Sequence, residues 1–389
     1  MRDVINDYLS QFDLDIRKSH DARFVDQKCT PDIVCFMADC VMNMVATKPV
    51  FVINDIWETQ YFIQNTRVVF NKPWANDKNA YNEYNKVLSQ PLKLLAYARI
   101  LDVEMVGGTL TFSVANEDLL DYISRKDRNS YNFLYCYFMK VMSDSGFMKH
   151  FEEYSSNSVT NPVAARDEIY DRYYRLINGN TPSHSRLDIR RMFHKVFNVY
   201  AVEHHLRGSN GKIIYYSDLM YNKKNWRDMD KDKTITRQEA MTPEKNEKQE
   251  IINMYYVQKA IALIRKIHTV SEVNDSWSNG EATQVHHIFP KSQFPQIAHY
   301  VENLILLTAT QHNTKAHPNN KTQEINRDYQ LTCLLAKADT IDTSLKTVGE
   351  KYYRKESFVY VINTGLTVQL STNLQFKDIK TNLIQIYNS

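Results

Sequence analysis

A chain of 389 residues is too long for one small hydrophobic core, so its length predicts two or three domains. Its composition, 43% hydrophobic and 24% charged residues, is that of a globular protein and excludes a largely disordered chain. The net charge of +3 is too small to indicate a nucleic-acid partner by itself, and no apolar run reaches membrane-spanning length.

The first part of the chain predicts mostly helices, with one candidate DNA-reading unit. The pattern predicts a helix over 79–88, a break at 89–91 and a second helix over 91–101. Two alternating segments, 103–106 and 109–114, flank a Gly-Gly pair and predict a hairpin. Helix, turn, helix and hairpin is the order of a winged-helix DNA reader. Helix pairs followed by hairpins are also common in other proteins, so both interpretations stay open.

A basic amphipathic helix is predicted from Arg186 to Phe197. From 181 to 237 the sequence has twelve Lys or Arg residues against six Asp or Glu. Such a face favours a phosphate backbone, although a solvated surface helix has the same pattern. The polar stretch 222–248 is the best candidate for a linker or a DNA-clamping loop. The candidate DNA contacts on the helix are Arg186, Arg190, Arg191 and Lys195.

Two short strands and a helix start are predicted further on. Gln284 to Phe289 alternates like a strand, so His286 and His287 point to opposite faces. Leu304 to Leu307 predicts a second strand. Thr308-Ala309-Thr310-Gln311 has the pattern of a capping box, which opens a helix and places His312 in its first turn.

These residues resemble the HNH, or ββα-metal, nucleases in order and spacing. The shared pattern is a His-His-Ile-x-Pro strand from His286 to Pro290, an Asn-Leu pair at Asn303, and His312 nine residues after that Asn. The resemblance covers roughly residues 281 to 325. It implies that His286 and His312 bind the metal, that His287 is the general base and that Asn303 braces the loop.

Further expectations follow from the same resemblance. A ligand four residues after the last motif His is usual in the family. Here the gap to His317 is five, so a metal or phosphate contact by His317 stays open. Mg²⁺ is expected as the cofactor because it is abundant in cells, with Mn²⁺ or Ni²⁺ able to substitute because imidazole ligands suit them. Lys291 and Lys315, next to the motif, are candidate DNA contacts. Many family members bind a structural zinc with two Cys-x-x-Cys pairs. This chain has none, so we expect packing alone to hold the motif.

The predicted fold class is α+β with three regions. They are a mostly helical region with the possible winged helix (1–180), a basic helix with a linker (181–250), and an HNH nuclease domain closed by a hairpin over 358–362 and 366–370 (251–389). Five scattered cysteines predict reduced, buried thiols, and with no signal peptide we expect a cytoplasmic protein without a membrane partner.

The proportions of the chain resemble those of HNH-class type II restriction endonucleases. That resemblance implies site-specific hydrolysis of double-stranded DNA by one metal ion and a histidine base. A cognate DNA methyltransferase is then the expected partner, and a homodimer stays open. Two alternatives remain. One is a phage-defence or mobile-element HNH nuclease of other specificity, and the other is a non-catalytic winged-helix regulator.

Overall fold

The protein folds into two compact units, Arg2–Ala240 and Met241–Ser389. The computed structural model describes residues 1–70, 75, 81–157, 161–221, 243–316 and 326–388. Both units combine helices with a small antiparallel sheet, so the predicted α+β class is confirmed. Among the described helices, none is long and apolar enough to cross a membrane. All five cysteines are buried and none is in a disulfide, as predicted.

The first unit is built mainly of helices that pack through aromatic and aliphatic side chains. Its most buried helix is α3, which begins at Pro31, where a proline is favoured because the first helical N–H needs no partner. The helices are α1 (Arg2–Leu9), α2 (Ile16–Ser19), α3 (Pro31–Val45), α4 (Ile53–Trp57), α5 (Gln60–Phe70), α6 (Tyr81–Tyr97), α7 (Glu117–Arg125), α8 (Asp127–Asp144), α9 (Met148–Asn157), α10 (Pro162–Asn180) and α11 (Arg186–Glu203).

The predicted hairpin is confirmed and belongs to a three-stranded sheet. Strands β1 (Val50–Val52), β2 (Leu101–Val106) and β3 (Thr109–Val114) lie in the order β1–β3–β2. Gly107 and Gly108 have φ values of 58° and 82°, the left-handed conformation that a two-residue hairpin turn requires. The strand β1, which the sequence analysis missed, packs Phe51 onto Phe112 of β3 with ring centres 5.8 Å apart.

The predicted break at 89–91 is wrong, because α6 runs without interruption through Pro91. A proline inside a helix costs about 3 kcal/mol through a lost hydrogen bond and a clash with the preceding turn. The helix nevertheless buries Leu88, Leu92 and Leu95 completely. Burial of each leucine stabilises by about 1.5–3 kcal/mol, so packing outweighs the local cost.

The predicted boundary at 180–181 does not separate two bodies. Helix α11 packs against α10 within the first unit, where the Phe193 ring lies 5.3 Å from Tyr173 and 5.4 Å from Tyr170. The basic helix is therefore part of the N-terminal unit. Most of the predicted linker, 222–242, lies outside the described residues, and its last part is helical because the next helix begins at Pro243.

The second unit packs helices around a two-stranded sheet. The elements are α12 (Pro243–Ile267), β4 (Ala282–His287), β5 (Leu304–Thr308), a π-helical turn (Gln311–Ala316), α13 (Arg327–Val348), α14 (Lys355–Leu366) and α15 (Phe376–Asn388). Every residue of β5 is buried, and α13, α14 and α15 contribute most of the core around it.

The predicted closing hairpin is wrong, since helix α14 covers its first strand. Phe358, Val361 and Ile362 are buried and have the spacing i, i+3 and i+4, which is the buried face of a helix. A short apolar run with several β-branched residues fits both a strand and a buried helix segment, and here the helical period is the one that reaches the core.

Candidate metal and catalytic site

The site is organised by the antiparallel pair of β4 and β5, both of which were predicted. In this pair His286 lies opposite Ile305 and His287 lies opposite Leu304. Because side chains alternate along a strand, the two adjacent histidines point to opposite faces of the sheet. The sheet therefore gives each histidine a different environment.

His286 faces the helical turn that carries His312. The two ring centres are 5.4 Å apart and the ring planes meet at 78°. His286 is only 4% exposed, whereas His312 is half-buried. Imidazole nitrogens bind a metal at about 2.0–2.1 Å, which places the ring centres of two ligands on one ion roughly 5 Å apart. The separation of these rings fits a shared metal ion.

On the other face, His287 is held by a backbone carbonyl. Its Nε2 lies 3.1 Å from the carbonyl oxygen of Ala298, so Nε2–H donates and the Nδ1 atom of the neutral ring has a lone pair. Burial lowers the pKa of His287 below its ordinary value, and the charge of Lys291 acts in the same direction. The ring is therefore neutral at pH 7, as a proton acceptor must be.

Asn303 fixes the loop that separates the two strands. It is fully buried, its Oδ1 accepts from the Phe289 N–H at 2.9 Å, and its Nδ2 donates to the carbonyls of Phe289 (3.0 Å) and Ile297 (3.3 Å). These bonds hold the chain from Phe289 to Ala298, which includes the carbonyl that orients His287. This is the geometry expected of a bracing residue.

The predicted capping box is present at the start of the His312 turn. The Gln311 N–H donates to Thr308 Oγ1 at 3.2 Å, and the Thr308 N–H donates to Gln311 Oε1 at 3.0 Å. The helix that follows is a π-helical turn, a rare geometry in which each turn contains an extra residue. His312 thus directly follows a capping box in which both reciprocal hydrogen bonds are formed.

Sequence reasoning missed the partners that hold Gln311 in place. Gln311 is fully buried, and its Oε1 also accepts from Ser271 Oγ at 2.7 Å. Its Nε2 donates to the Val273 carbonyl and to Asp275 Oδ1, both at 2.9 Å. The segment 271–278 therefore fixes the first residue of the His312 turn by hydrogen bonds. Nothing in the sequence of this segment revealed which residue its side chains bind.

A buried ion pair behind β5 was also missed. Lys337 of α13 is fully buried, and its Nζ lies 2.7 Å from Glu272 Oε2 and 3.2 Å from the Tyr353 hydroxyl. Glu272 Oε1 accepts from the Leu306 N–H of β5 at 2.9 Å, and His268 Nε2 lies 2.6 Å from the Tyr353 hydroxyl. Burial lowers the pKa of Lys337. This cluster ties the edge of β5 to α13, and a single Lys within an ordinary helical pattern gives no signal of it.

The other predicted residues of this unit lie close to the site or outside the described part. Lys291 is exposed on the loop after β4. Lys315 follows His312 by three residues, and its Nζ lies 4.7 Å from the centre of the Trp277 ring. His317 lies outside the described residues, so the structure does not place it. Within the described part of the chain, no group of three or more His, Cys, Asp or Glu residues is arranged to hold a metal.

The basic helix α11 presents three of its four predicted DNA contacts to solvent. Arg186 stacks on Tyr174 and Arg190 on Tyr170, with 4.6 Å and 4.8 Å between the guanidinium carbon and the ring centre. Arg191 is exposed and pairs with Asp188 at 3.0 Å. Arg186 also lies 4.0 Å from a carboxylate oxygen of Asp171.

Lys195 departs from that prediction. It is turned inward and half-buried, and burial lowers the pKa of its ammonium group. Leu187, near the start of the same helix, is 60% exposed. The buried face of α11 centres on Phe193 and Val196, and Lys195 lies at the edge of that face. The exposed basic face is therefore shorter than predicted.

Comparison with known proteins does not identify the chain, since no protein-family model, curated protein or solved structure matches it. Its function must therefore be argued from the site itself.

Proposed function

We propose that this protein is a site-specific DNA endonuclease of the HNH type, which hydrolyses phosphodiester bonds in double-stranded DNA. The observation that carries the proposal is the division of two adjacent histidines between two faces of β4. His286 meets His312 in a pair suited to a metal ion, and His287 is neutral and oriented by a carbonyl. A packing role for the pair does not account for this combination.

In the proposed mechanism, His287 acts as the general base. Its Nε2–H is occupied by the Ala298 carbonyl, so Nδ1 is the atom that takes the proton from the attacking water. The hydrogen bond to this carbonyl also stabilises the imidazolium that forms, because it strengthens when the ring becomes positive. Asn303 positions the base indirectly, since it holds the loop that supplies this carbonyl.

His286 and His312 are the residues that would hold a divalent metal ion. When bound, such an ion neutralises charge on the phosphate and on the leaving oxygen. Two imidazoles leave most coordination positions open for water and phosphate oxygens. They suit Mn²⁺, Ni²⁺ or Zn²⁺ by ligand type, and we propose Mg²⁺ as the ion used in the cell on the grounds of abundance.

The first unit is proposed to select the DNA sequence. In chain order it contains a helix (α3), a strand (β1), the helices α4 to α6 and the β2–β3 hairpin, with the strands ordered β1–β3–β2. This order supports a winged-helix reader in which the helix before the hairpin is the continuous α6. The exposed arginines of α11 would add affinity for phosphates that does not depend on sequence.

Plasmid cleavage by the purified full-length protein tests the proposal. Supercoiled plasmid is incubated with Mg²⁺, Mn²⁺ or Ni²⁺, or with a chelator, and the products are separated on a gel. Discrete fragments support a restriction endonuclease, for which a cognate methyltransferase would protect the same sites. A smear instead favours an HNH nuclease of other specificity. No cleavage with any metal, together with retained DNA binding, would refute the nuclease proposal in favour of a non-catalytic regulator.

The matched control is His299, a histidine in the loop after β4 for which no role is proposed. His287→Ala should lower the cleavage rate about 10²- to 10⁴-fold, whereas His299→Ala should retain it. Equal loss in both variants would indicate damage to the loop rather than removal of a base.

A further inference from the structure

The first unit contains a cavity, beside α6 and the β2–β3 hairpin, for which the proposed nuclease function names no ligand. Its volume is about 420 Å³, within the range of roughly 300–1,000 Å³ that small-molecule sites have. Three segments line it: the chain from Asp13 to Arg23, the end of α6 from Lys93 to Arg99, and the hairpin through Val103 and Leu110. All of these residues belong to one compact unit.

The carboxylates of this cavity are already occupied by groups of their own segment. Asp13 pairs with Lys18 at 2.5 Å and accepts the Asp15 N–H at 3.1 Å. Asp21 accepts the Arg23 N–H at 2.8 Å. Asp13 is therefore paired within its own segment, whereas the charge of Asp21 also acts on Lys93 of the opposite wall.

The cations on that opposite wall lack such partners. Among the described residues, the side chains of Lys93 and Arg99 form no hydrogen bond and no ion pair. Burial lowers the pKa of Lys93, and the nearby positive charge of Arg23 adds to the effect. Asp21 and Asp26 act on that pKa in the opposite direction. The three cations that line the cavity, Arg23, Lys93 and Arg99, outnumber its two carboxylates, and this excess of positive charge favours an anion. A group with two negative charges, such as a phosphate monoester, satisfies them better than a single carboxylate.

The backbone at Arg99 gives independent support. Arg99 has a φ of 62° and ends α6, with the Ile100 N–H donating to the Leu95 carbonyl at 2.9 Å. This left-handed position after a helix usually contains glycine, because a side chain there is strained. An arginine at a glycine position costs stability, and the cost is explained if its guanidinium group binds a ligand in the cavity.

The remaining walls are apolar and partly aromatic. The hydroxyl of Tyr97 is engaged by Ser19 Oγ at 2.7 Å and by the Leu14 carbonyl at 3.3 Å, so the ring itself contributes flat apolar surface. Ala96 and Leu14 are buried beside it, and Val103 of the hairpin is 41% exposed. A flat body with an anionic head fits this combination of surfaces.

We propose that the cavity between α2, α6 and the β2–β3 hairpin binds a phosphate ester with a flat apolar body, that is, a nucleotide. The nucleotide can be a free molecule or a unit of a nucleic-acid strand, since both have the same chemistry. Lys93 and Arg99 bind the phosphate, with its double charge shared between an ammonium and a guanidinium group. Tyr97 and Val103 contact the base or the sugar.

The test measures binding to the purified full-length protein by titration calorimetry with a chelator present, so that no DNA is cut. The probes are the four deoxynucleoside monophosphates, the corresponding nucleosides, inorganic phosphate, a short single strand and a short duplex. The informative variants are Lys93→Met and Arg99→Gly. Lys86→Met, an exposed lysine of the same helix outside the cavity, and His205→Gly, another left-handed residue of the same unit, are the matched controls.

Both informative variants should weaken the binding of phosphate-bearing probes about tenfold or more, while the two controls bind the monophosphates as the wild type does. Arg99→Gly should also leave the melting temperature unchanged or raised, because glycine relieves the left-handed strain. Loss of binding in a protein that is no less stable cannot be attributed to misfolding.

The source of the nucleotide follows from which probes respond. Weakened binding of the monophosphates identifies a free nucleotide, and weakened binding of only the strand or the duplex identifies a nucleic-acid phosphate. The proposal is overturned if no probe binds, if the nucleosides bind as tightly as the monophosphates, or if either informative variant binds as the wild type does. No readout depends on cleavage, so this inference and the nuclease proposal fail independently.

Discussion

Replacing Gln311 by glutamate isolates the contribution of the cluster that positions His312. The introduced carboxylate has the same shape as the amide and can still accept from Ser271 and Thr308. It loses both donated bonds, and an oxygen then faces the Val273 carbonyl and Asp275 Oδ1 at the positions now 2.9 Å from Nε2. A buried acceptor left without its donor costs about 1–3 kcal/mol, and a buried unpaired charge costs more. We expect Gln311→Glu to lower the free energy of unfolding by about 3–5 kcal/mol at pH 7–8.

The loss should depend on pH in a defined direction. Burial and the facing Asp275 raise the pKa of the introduced carboxyl group in the folded state above that of an unfolded glutamate, about 4.3. The folded state of the variant therefore binds a proton more tightly than the unfolded state does. Its deficit relative to the wild type is smallest below the unfolded pKa and grows as the pH rises through the folded pKa.

Urea unfolding at pH 5 and pH 8 measures this effect. With a slope of about 1–3 kcal/mol per M, the expected loss of about 3–5 kcal/mol moves the midpoint of the second unit down by roughly 1–5 M at pH 8 and by less at pH 5. Gln330→Glu is the matched control. It removes one donated hydrogen bond, from Gln330 Nε2 to the Ile288 carbonyl at 2.7 Å. The position is half-buried, so water can replace the lost donor, and the variant should lose about 1 kcal/mol of unfolding free energy.

A second substitution tests whether Asp275 is the partner that matters. Asp275→Asn removes the opposing charge and supplies an Nδ2–H, so combining it with Gln311→Glu should recover about 1–2 kcal/mol of the loss. The metal concentration needed for half-maximal cleavage should follow the same order, because a loosened turn misplaces His312. A Gln311→Glu protein within about 0.5 kcal/mol of the wild type and with an unchanged metal requirement would refute this reasoning.

Four further predictions follow from the same structure. His287→Ala should lower the cleavage rate about 10²- to 10⁴-fold at unchanged DNA affinity. His286→Ala and His312→Ala should instead raise the metal concentration needed for cleavage, and rates measured against metal concentration separate the two effects. The cleavage rate should fall as the pH drops through the pKa of His287, and burial lowers that pKa, so the midpoint should lie below about pH 6.5 and a midpoint above about pH 7 would contradict the assignment. Gly365→Ala places a Cβ within van der Waals overlap of the Phe289 ring and should cost about 1–3 kcal/mol in urea unfolding, whereas Gly179→Ala, with open space around it, should cost nothing. Arg190→Ala with Arg191→Ala should reduce the salt dependence of DNA binding by about two phosphate contacts, and Lys195→Ala should leave it unchanged, because Lys195 points inward.

Local patterns sufficed for the elements whose stabilising interactions are close in sequence. The capping box from Thr308 to Gln311 spans four residues, and the hairpin at Gly107 and Gly108 needs only its turn, so both were predicted correctly. The face of each histidine on β4 follows from strand alternation alone. For the same reason, the pairing of His286 with His312 required only the order of two strands and a helix.

The errors arose where tertiary packing decides between local alternatives. Pro91 breaks an isolated helix, but three leucines buried completely keep α6 intact. The run around Phe358 fits a strand or a helix, and only its contact with the core of the second unit selects the helix. Lys195 has the spacing of a surface residue, yet it is half-buried, because the face of α11 that contains Phe193 packs against the core. Each outcome depends on residues distant in sequence, which a local pattern does not contain.

The support of the site is the part that no local pattern could supply. The segment 271–278 lies 30 or more residues before its partners on β5 and the His312 turn, and Lys337 lies 65 residues after Glu272. Buried hydrogen bonds to Gln311 and Leu306 fix the strand edge and the start of the helix. Such hydrogen bonds are strong only while water is excluded from them. Loss of one partner then leaves a buried polar group unsatisfied, which costs more free energy than the bond contributes. The core formed by α13, α14 and α15 therefore does more than stabilise the unit: it excludes water from the contacts that place His312 opposite His286.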